Sequence, residues 1–243
     1  MKKKEIINCL EDFAPLELQE QWDNSGWQIK SDKDEIKKVL LCVSVTKDII
    51  KQAIEQGVEL VVAHHPLIFP DVKNIVDERF LLAIKNDIQI YSMHTNFDKV
   101  KDGTTACLAK ILGFDELVKV NDFVQAIHLS DSLNIDDIIL KTKLALNVEK
   151  IKVINYKCKK FINNIAFCAG AGGCFISDIS EKFDLYITSD VKYHEAEQCS
   201  GGIILDVGHL ESERPSLIKI KELLNDKGLE IVVANEKTNA IFI

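Results

Sequence analysis

The chain has 243 residues, 47% hydrophobic and 28% charged, with a formal net charge of −8. That length suffices for a core in one large domain or two small lobes, and the acidic balance argues against a broad basic face for sequence-specific nucleic-acid binding. Seven scattered cysteines, never spaced C-x-x-C, argue against a disulfide framework or a zinc ribbon, and no apolar run approaches the ~20 residues of a membrane helix.

Met1-Lys2-Lys3-Lys4 has the charge of a signal-peptide start, but Glu5, Asn8, Glu11 and Asp12 interrupt any apolar stretch after it, so a cytoplasmic protein is expected. Ile6 to Phe13 has helical spacing and ends before Pro15. Trp22-Asp23-Asn24-Ser25-Gly26-Trp27 reads as a polar loop clasped by two tryptophans. Strand Val39–Val45, helix Asp48–Gln56 and strand Val58–Ala63 follow, then helix Asp77–Lys85, strand Ile88–Met93 and helix Thr104–Leu112 with Gly113 beyond it. Strands alternating with single helices predict parallel βαβ units. The pattern fades around 114–128, which places a boundary between an N-terminal α/β lobe, 1–125, and a C-terminal α/β lobe, 126–243. The second lobe reads as helix Asn134–Leu146, strands Ile151–Tyr156 and Asn164–Ala169, a Gly170–Gly173 turn and helix Phe175–Lys182. Strand Leu185–Thr188, helix Tyr193–Cys199, strand Ile203–Val207 and helix Glu213–Lys227 come next, and 231–234 with 240–243 close the chain as a hairpin-like pair. The predicted fold class is α/β: two similar, intertwined lobes.

Five of the six histidines stand where an apolar run stops: His64, His65, His94, His194 and His209. In open α/β sheets ligands bind beyond the carboxyl ends of the strands, and imidazole is the commonest side-chain metal ligand. A metal site at strand C-terminal ends between the lobes is therefore expected. For His64 and His65 to serve one site the strand must end there, and Pro66 helps by holding His65 extended. His94-Thr95-Asn96-Phe97-Asp98 and His209-Leu210-Glu211-Ser212-Glu213 each bring an imidazole and a carboxylate together on one turn; a surface His–acid contact is the alternative for either pair alone. Six groups exceed the three that one tetrahedral ion needs, which favours two divalent ions with Glu213 bridging. The donor set admits zinc, iron, manganese or nickel. In Asp190-Val191-Lys192-Tyr193-His194, Lys192 and Tyr193 could meet a phosphate and His194 could transfer a proton, or His194 could simply be held by Asp190. The Gly170–Gly173 turn, Gly172 within it, could offer backbone N–H groups to an anion, or be a plain tight turn.

Together and in this order, Trp22-Asp23-Asn24-Ser25-Gly26, Leu60 to Phe69 with its double histidine, His94 to Asp98, Gly170 to Gly173, Asp184 to Asp190, and Asp206-Val207-Gly208-His209 with Glu213 resemble the Nif-three-like family, whose members are often labelled GTP cyclohydrolase I type 2 homologues. The resemblance spans nearly the whole chain and matches the short form. It implies a dinuclear metal centre with ligand roles for His64, His65, Asp98, His209 and Glu213, and a homo-oligomer, commonly a hexameric ring. Two positions depart from the pattern. Ser189 stands where Thr-Gly-Asp is usual, and Gln125 to Leu129 lacks the Gly-Arg segment of the second-lobe entry.

The activity implied is hydrolytic opening of the purine imidazole ring of GTP by metal-hydroxide attack, with His94 or His194 shuttling protons. Two alternatives stay open: a metal-dependent nucleotide phosphoesterase, and a metal-binding scaffold or interaction protein without turnover.

Overall fold

The computed structural model describes residues 1–69, 72–156 and 158–238. These form two α/β units. Met1–Val100 joins the described residues from Leu217 onward, and Lys101–Ser216 makes the other. Among the described residues the strands are β1 (Gly26–Ile29), β2 (Lys38–Cys42), β3 (Leu60–Ala63), β4 (Gln89–Ser92), β5 (Val118–Lys119), β6 (Gln125–Asn134), β7 (Lys152–Ile154), β8 (Phe161–Phe167), β9 (Leu185–Thr188), β10 (Ile203–Asp206) and β11 (Glu230–Val233).

The first unit is a five-stranded sheet in the order β1-β4-β3-β2-β11, parallel except for β1. The runs that read as buried strands are buried on both faces. Leu40, Cys42, Val61, Ala63 and Ile90 pack against the helix Lys47–Glu55, while Val39, Leu41, Leu60, Val62 and Tyr91 are equally buried. A continuous apolar run is what parallel strands covered on both faces require. Thr46 caps the Lys47–Glu55 helix by accepting the N–H of Ile49, and Asp77 caps the helix Glu78–Lys85 by accepting that of Arg79. All three inner parallel strands end on the same side, and beyond them lie the histidines of this unit.

The second unit is a mixed sheet in the order β5-β6-β8-β9-β10-β7. Only the β8–β9 and β9–β10 pairs are parallel, so the expectation of parallel βαβ units holds for the centre of this sheet and not for its edges. Residues alternate between two cores. Leu185, Ile187, Ile203 and Leu205 join the one with the helix Ile135–Leu146, and Tyr186 and Ile204 the one with Ile176 and Ile179. Asn134 caps the Ile135–Leu146 helix by accepting the N–H of Asp136.

Several elements differ from the sequence reading. Gly26–Ile29 is a strand, so Trp27 lies in β1 and not in a loop. The weakly patterned stretch before residue 128 contains β5 and the start of β6, and the expected division at 125/126 falls inside β6. The stretch read as one helix from Glu213 is two, His209–Glu213 and Ser216–Leu224. β11 pairs in parallel with β2; its expected hairpin partner, 240–243, lies outside the described residues. Among the described residues no helix is long and apolar enough to cross a membrane.

Candidate metal centre

His64 and His65 follow β3 directly, and their N–H groups continue its ladder onto the carbonyls of Cys42 (3.0 Å) and Val43 (2.8 Å). Both rings nonetheless face the same neighbourhood, with centroids 5.1 Å apart. His94, beyond the end of β4, brings its ring to 5.3 Å from His64 and 5.4 Å from His65. One ligand nitrogen from each of the three imidazoles lies within 4.8 Å of the others. The short helix Thr95–Asp98 begins at once, and Asp98 Oδ1 comes to 3.6 Å from Nε2 of the fully buried His64. The i, i+4 spacing of His94 and Asp98 thus folds as one helical turn.

Each imidazole is oriented through Nδ1. His64 Nδ1–H donates to the carbonyl of Met93 at 2.7 Å. His94 Nδ1–H donates to Asp23 Oδ1 at 2.8 Å. His65 Nδ1 bonds the Ser44 hydroxyl at 2.7 Å. A carbonyl or carboxylate only accepts, so at His64 and His94 the proton sits on Nδ1 and the Nε2 lone pair is turned toward the cluster. This is the arrangement that readies a histidine for a metal ion.

The supports of these rings are Asp23, from the loop that the sequence leaves as either lining the site or bracing the two tryptophans, and Ser44 and Glu236, which the sequence reading did not single out. Asp23 also accepts the N–H of Thr95 at 3.0 Å and the hydroxyl of Ser25 at 2.9 Å. Burial would raise its carboxyl, but the hydrogen bonds from His94 and Thr95 outweigh that and hold it far below the carboxylate range. The buried Glu236 accepts the N–H groups of Val43 (2.6 Å) and Ser44 (2.8 Å), fixing the turn that carries the Ser44 hydroxyl. No short-range signal marks these bonds, which span 71 residues for Asp23 and His94 and 193 for Glu236 and Val43.

The second unit holds the other expected ligand pair. Gly208, at φ +92°, turns the chain out of β10 into the helix His209–Glu213. His209 Nε2 then lies 3.1 Å from Glu213 Oε1, and its Nδ1 lies 2.6 Å from Asp190 Oδ2. Asp190 therefore braces His209. Burial lowers the His209 pKa, but the hydrogen bonds to Asp190 and Glu213 outweigh it and raise the value to about 10. A cation held by His209 Nε2 and Glu213 would take the place of the Nε2 proton, leaving the Nδ1–H on Asp190. Ser189, one of the two departures from the family pattern, donates its hydroxyl to the carbonyl of Gly170 and ties this loop to the glycine turn.

His194, Lys192 and Tyr193 are exposed at the short helix Tyr193–Ala196, with the His194 ring 5.3 Å from that of Tyr193. Gly172 does not fit the expected anion contact: it is buried, and its N–H is donated to Thr188 Oγ1 at 3.1 Å and to the Gly170 carbonyl at 2.9 Å. The turn is a packing feature, since a Cβ at Gly172 would run into Thr188, Tyr186 and Cys168. In the first unit, imidazoles with Nε2 turned inward and Asp98 beside them form a donor set that fits a divalent transition-metal ion, and in the second His209 with Glu213 offers an imidazole and a carboxylate of the same kind.

A protein named GTP cyclohydrolase 1 type 2 homolog from Clostridium perfringens is 34% identical, covering 97% of both chains. One named GTP cyclohydrolase 1 type 2 from Helicobacter pylori is 32% identical, covering 96% of both. Among solved structures, reduced HcgD from Methanocaldococcus jannaschii superposes with a TM-score of 0.86 at 28% identity, covering 97% of this chain and 98% of that one. A Bacillus cereus protein related to NIF3 gives 0.89 at 20% identity, covering 100% and 99%, a likeness of fold alone. The family model for Duf34/NIF3 (NGG1p interacting factor 3) matches residues 1–240, and the chain belongs to that family.

Proposed function

We propose that the chain is a metal-dependent hydrolase of the GTP cyclohydrolase type, with His64, His65, Asp98, His209 and Glu213 holding two divalent ions. The observation that carries this reading is the convergence of His64 and His65 with His94, one ring nitrogen of each lying within 4.8 Å of the others and all three rings being held from behind. The names of the Clostridium perfringens and Helicobacter pylori relatives support the nucleotide substrate.

Bound divalent ions would lower the pKa of a water and stabilise negative charge developing on the substrate. The residues supply the rest. His94, its Nδ1–H committed to Asp23, has Nε2 with which to take a proton from the water and return it to the ring nitrogen as the C8–N bond of the guanine breaks. His194 is the second candidate for proton transfer, at the exposed end of the second unit. Lys192 and Tyr193 beside it are the proposed contacts to the triphosphate. That first hydrolysis at C8 leaves a formamide, and a second water, cleaving the remaining C8–N bond, releases formate and leaves the amine on the pyrimidine ring. The proposal includes a cytoplasmic hexameric ring, checked by light scattering.

The test is elemental analysis after anaerobic reconstitution, followed by a nucleotide panel with product identification. About two metal equivalents and formate released in step with GTP loss are expected. Phosphate release without formate would replace ring opening by ester cleavage. Full metal occupancy with no turnover would overturn the hydrolase reading.

A further inference from the structure

We propose that Trp22 and Phe69 form an aromatic platform that stacks the base of the nucleotide beside His94; this rests on the reading of the chain as a nucleotide hydrolase. Trp22 is 58% exposed and Phe69 52% exposed. Their rings meet edge to face, with centroids 5.8 Å apart at 67°. Trp22 in turn lies 6.0 Å from the His94 ring at 75°. Two large aromatic side chains are thus left in solvent at the edge of the histidine cluster, where a planar heterocycle has a π-face to lie on.

The pair is held in place before any ligand arrives. Asn24 donates from Nδ2 to the carbonyl of Ile68 at 2.9 Å, and Ile68 N–H donates to Gln28 Oε1 at 2.9 Å, so the loop carrying Trp22 and the loop carrying Phe69 are bonded to each other. Asp23, next to Trp22 in the chain, grips His94 and Thr95. Trp22 and His94 are therefore fixed to the same carboxylate-bearing segment, and a base lying on the indole is presented to the group proposed to move its proton. A platform ordered in advance loses little conformational freedom on binding. Stacking tolerates any base, so the ligand class is a nucleoside or nucleotide, with purines favoured by ring area.

Trp22 and Trp27 are the only tryptophans, and Trp27 is half-buried against Tyr91 in β1. This makes fluorescence selective. Guanosine and GTP, titrated into the full-length metal-loaded protein, should quench emission saturably, inorganic triphosphate should not, and Trp22→Phe should abolish the quench. By calorimetry, Trp22→Ala and Phe69→Ala should each weaken guanosine binding about tenfold, and Trp22→Phe should restore most of it. Metal content should be unchanged in all three, and the loss with GTP should fall on KM more than on kcat. Wild-type guanosine affinity in Trp22→Ala would overturn the platform, as would quenching that follows protein concentration and not guanosine, which marks Trp22 as a subunit contact. The two readings fail separately. Guanosine bound on Trp22 without GTP turnover sinks the reaction and keeps the platform; GTP turnover with an unchanged KM in Trp22→Ala does the reverse.

Discussion

Asp23 and His94, 71 residues apart, share a 2.8 Å hydrogen bond in which the carboxylate has no exposed surface. One carboxylate thereby orients the imidazole and anchors the first turn of the helix Thr95–Asp98. Asp23→Ala strips acceptors from His94, Ser25 and Thr95 at once. It is expected to destabilise the protein by about 3–5 kcal/mol, the usual cost of breaking a buried charged network. Asp23→Asn keeps the shape and should cost less, about 1–3 kcal/mol. Urea denaturation of the two variants checks the order, and equal midpoints with wild type would remove the anchoring role.

Ser44 and Glu236 set His65 from behind. Loss of a partner that orients a histidine ligand typically weakens metal binding about 10–100-fold. Ser44→Ala and Glu236→Gln should each do so, and the double variant should lose less than the product of the two, because both act through one ring. Competition with a chromogenic chelator measures this. Strict multiplicativity would mean that the two residues act independently.

Gly170 has φ +71°, and a Cβ there would press on Glu213 Oε1. Gly170→Ala is expected to cost about 1–3 kcal/mol through backbone strain and crowding. It should also lower metal content by displacing the carboxylate. Gly172→Ala, whose Cβ would meet Tyr186, Thr188 and Cys168 instead, should destabilise by a similar amount with the smaller effect on metal. Thermal melts paired with elemental analysis separate the two.

Asp184 accepts the N–H groups of Asn163 (2.9 Å) and Asn164 (3.0 Å) and pairs with Lys159. Burial would raise its pKa, but the Lys159 side chain and the two backbone donors outweigh that and lower it. The folded state therefore holds the Asp184 proton less tightly than the unfolded chain. The stabilisation is fully present above the ordinary carboxylate value of about 3.9 and is lost as pH falls through the lower folded value. Asp184→Asn should be less stable than wild type at neutral pH, and the gap should close in acid. Urea midpoints across an acid series test this; a gap independent of pH would contradict it.

Much of the first sheet is legible in the sequence because β2 beyond Lys38, β3 and the Ile90-Tyr91 centre of β4 are apolar on both faces, and the caps at Thr46, Asp77 and Asn134 use the side chains that such positions favour. The histidines of the candidate centre are legible because each stands where an apolar run ends. β1 is not, since four residues opening with Gly26 and crossed by a register shift at Trp27 show no clear alternation. β6 is hidden for a similar reason: most of it beyond Ala126 is exposed or half-buried, and its register shifts between His128 and Leu133. Long-range braces such as Asp23, Ser44 and Glu236 depend on tertiary approach, which no local period encodes.

The strand β11 and Glu236 belong to the first sheet, yet they are made after residues 101–216. A nascent chain emerges amino end first. While β2 and β3 are already outside the ribosome, the backbone turn behind His65 still lacks its clamp, and the sheet still lacks its last member. Completion of the support behind that histidine is therefore deferred until β11 and Glu236 have been made and have docked, and a chain truncated just short of residue 236 would keep its imidazoles while the turn behind His65 stayed unclamped.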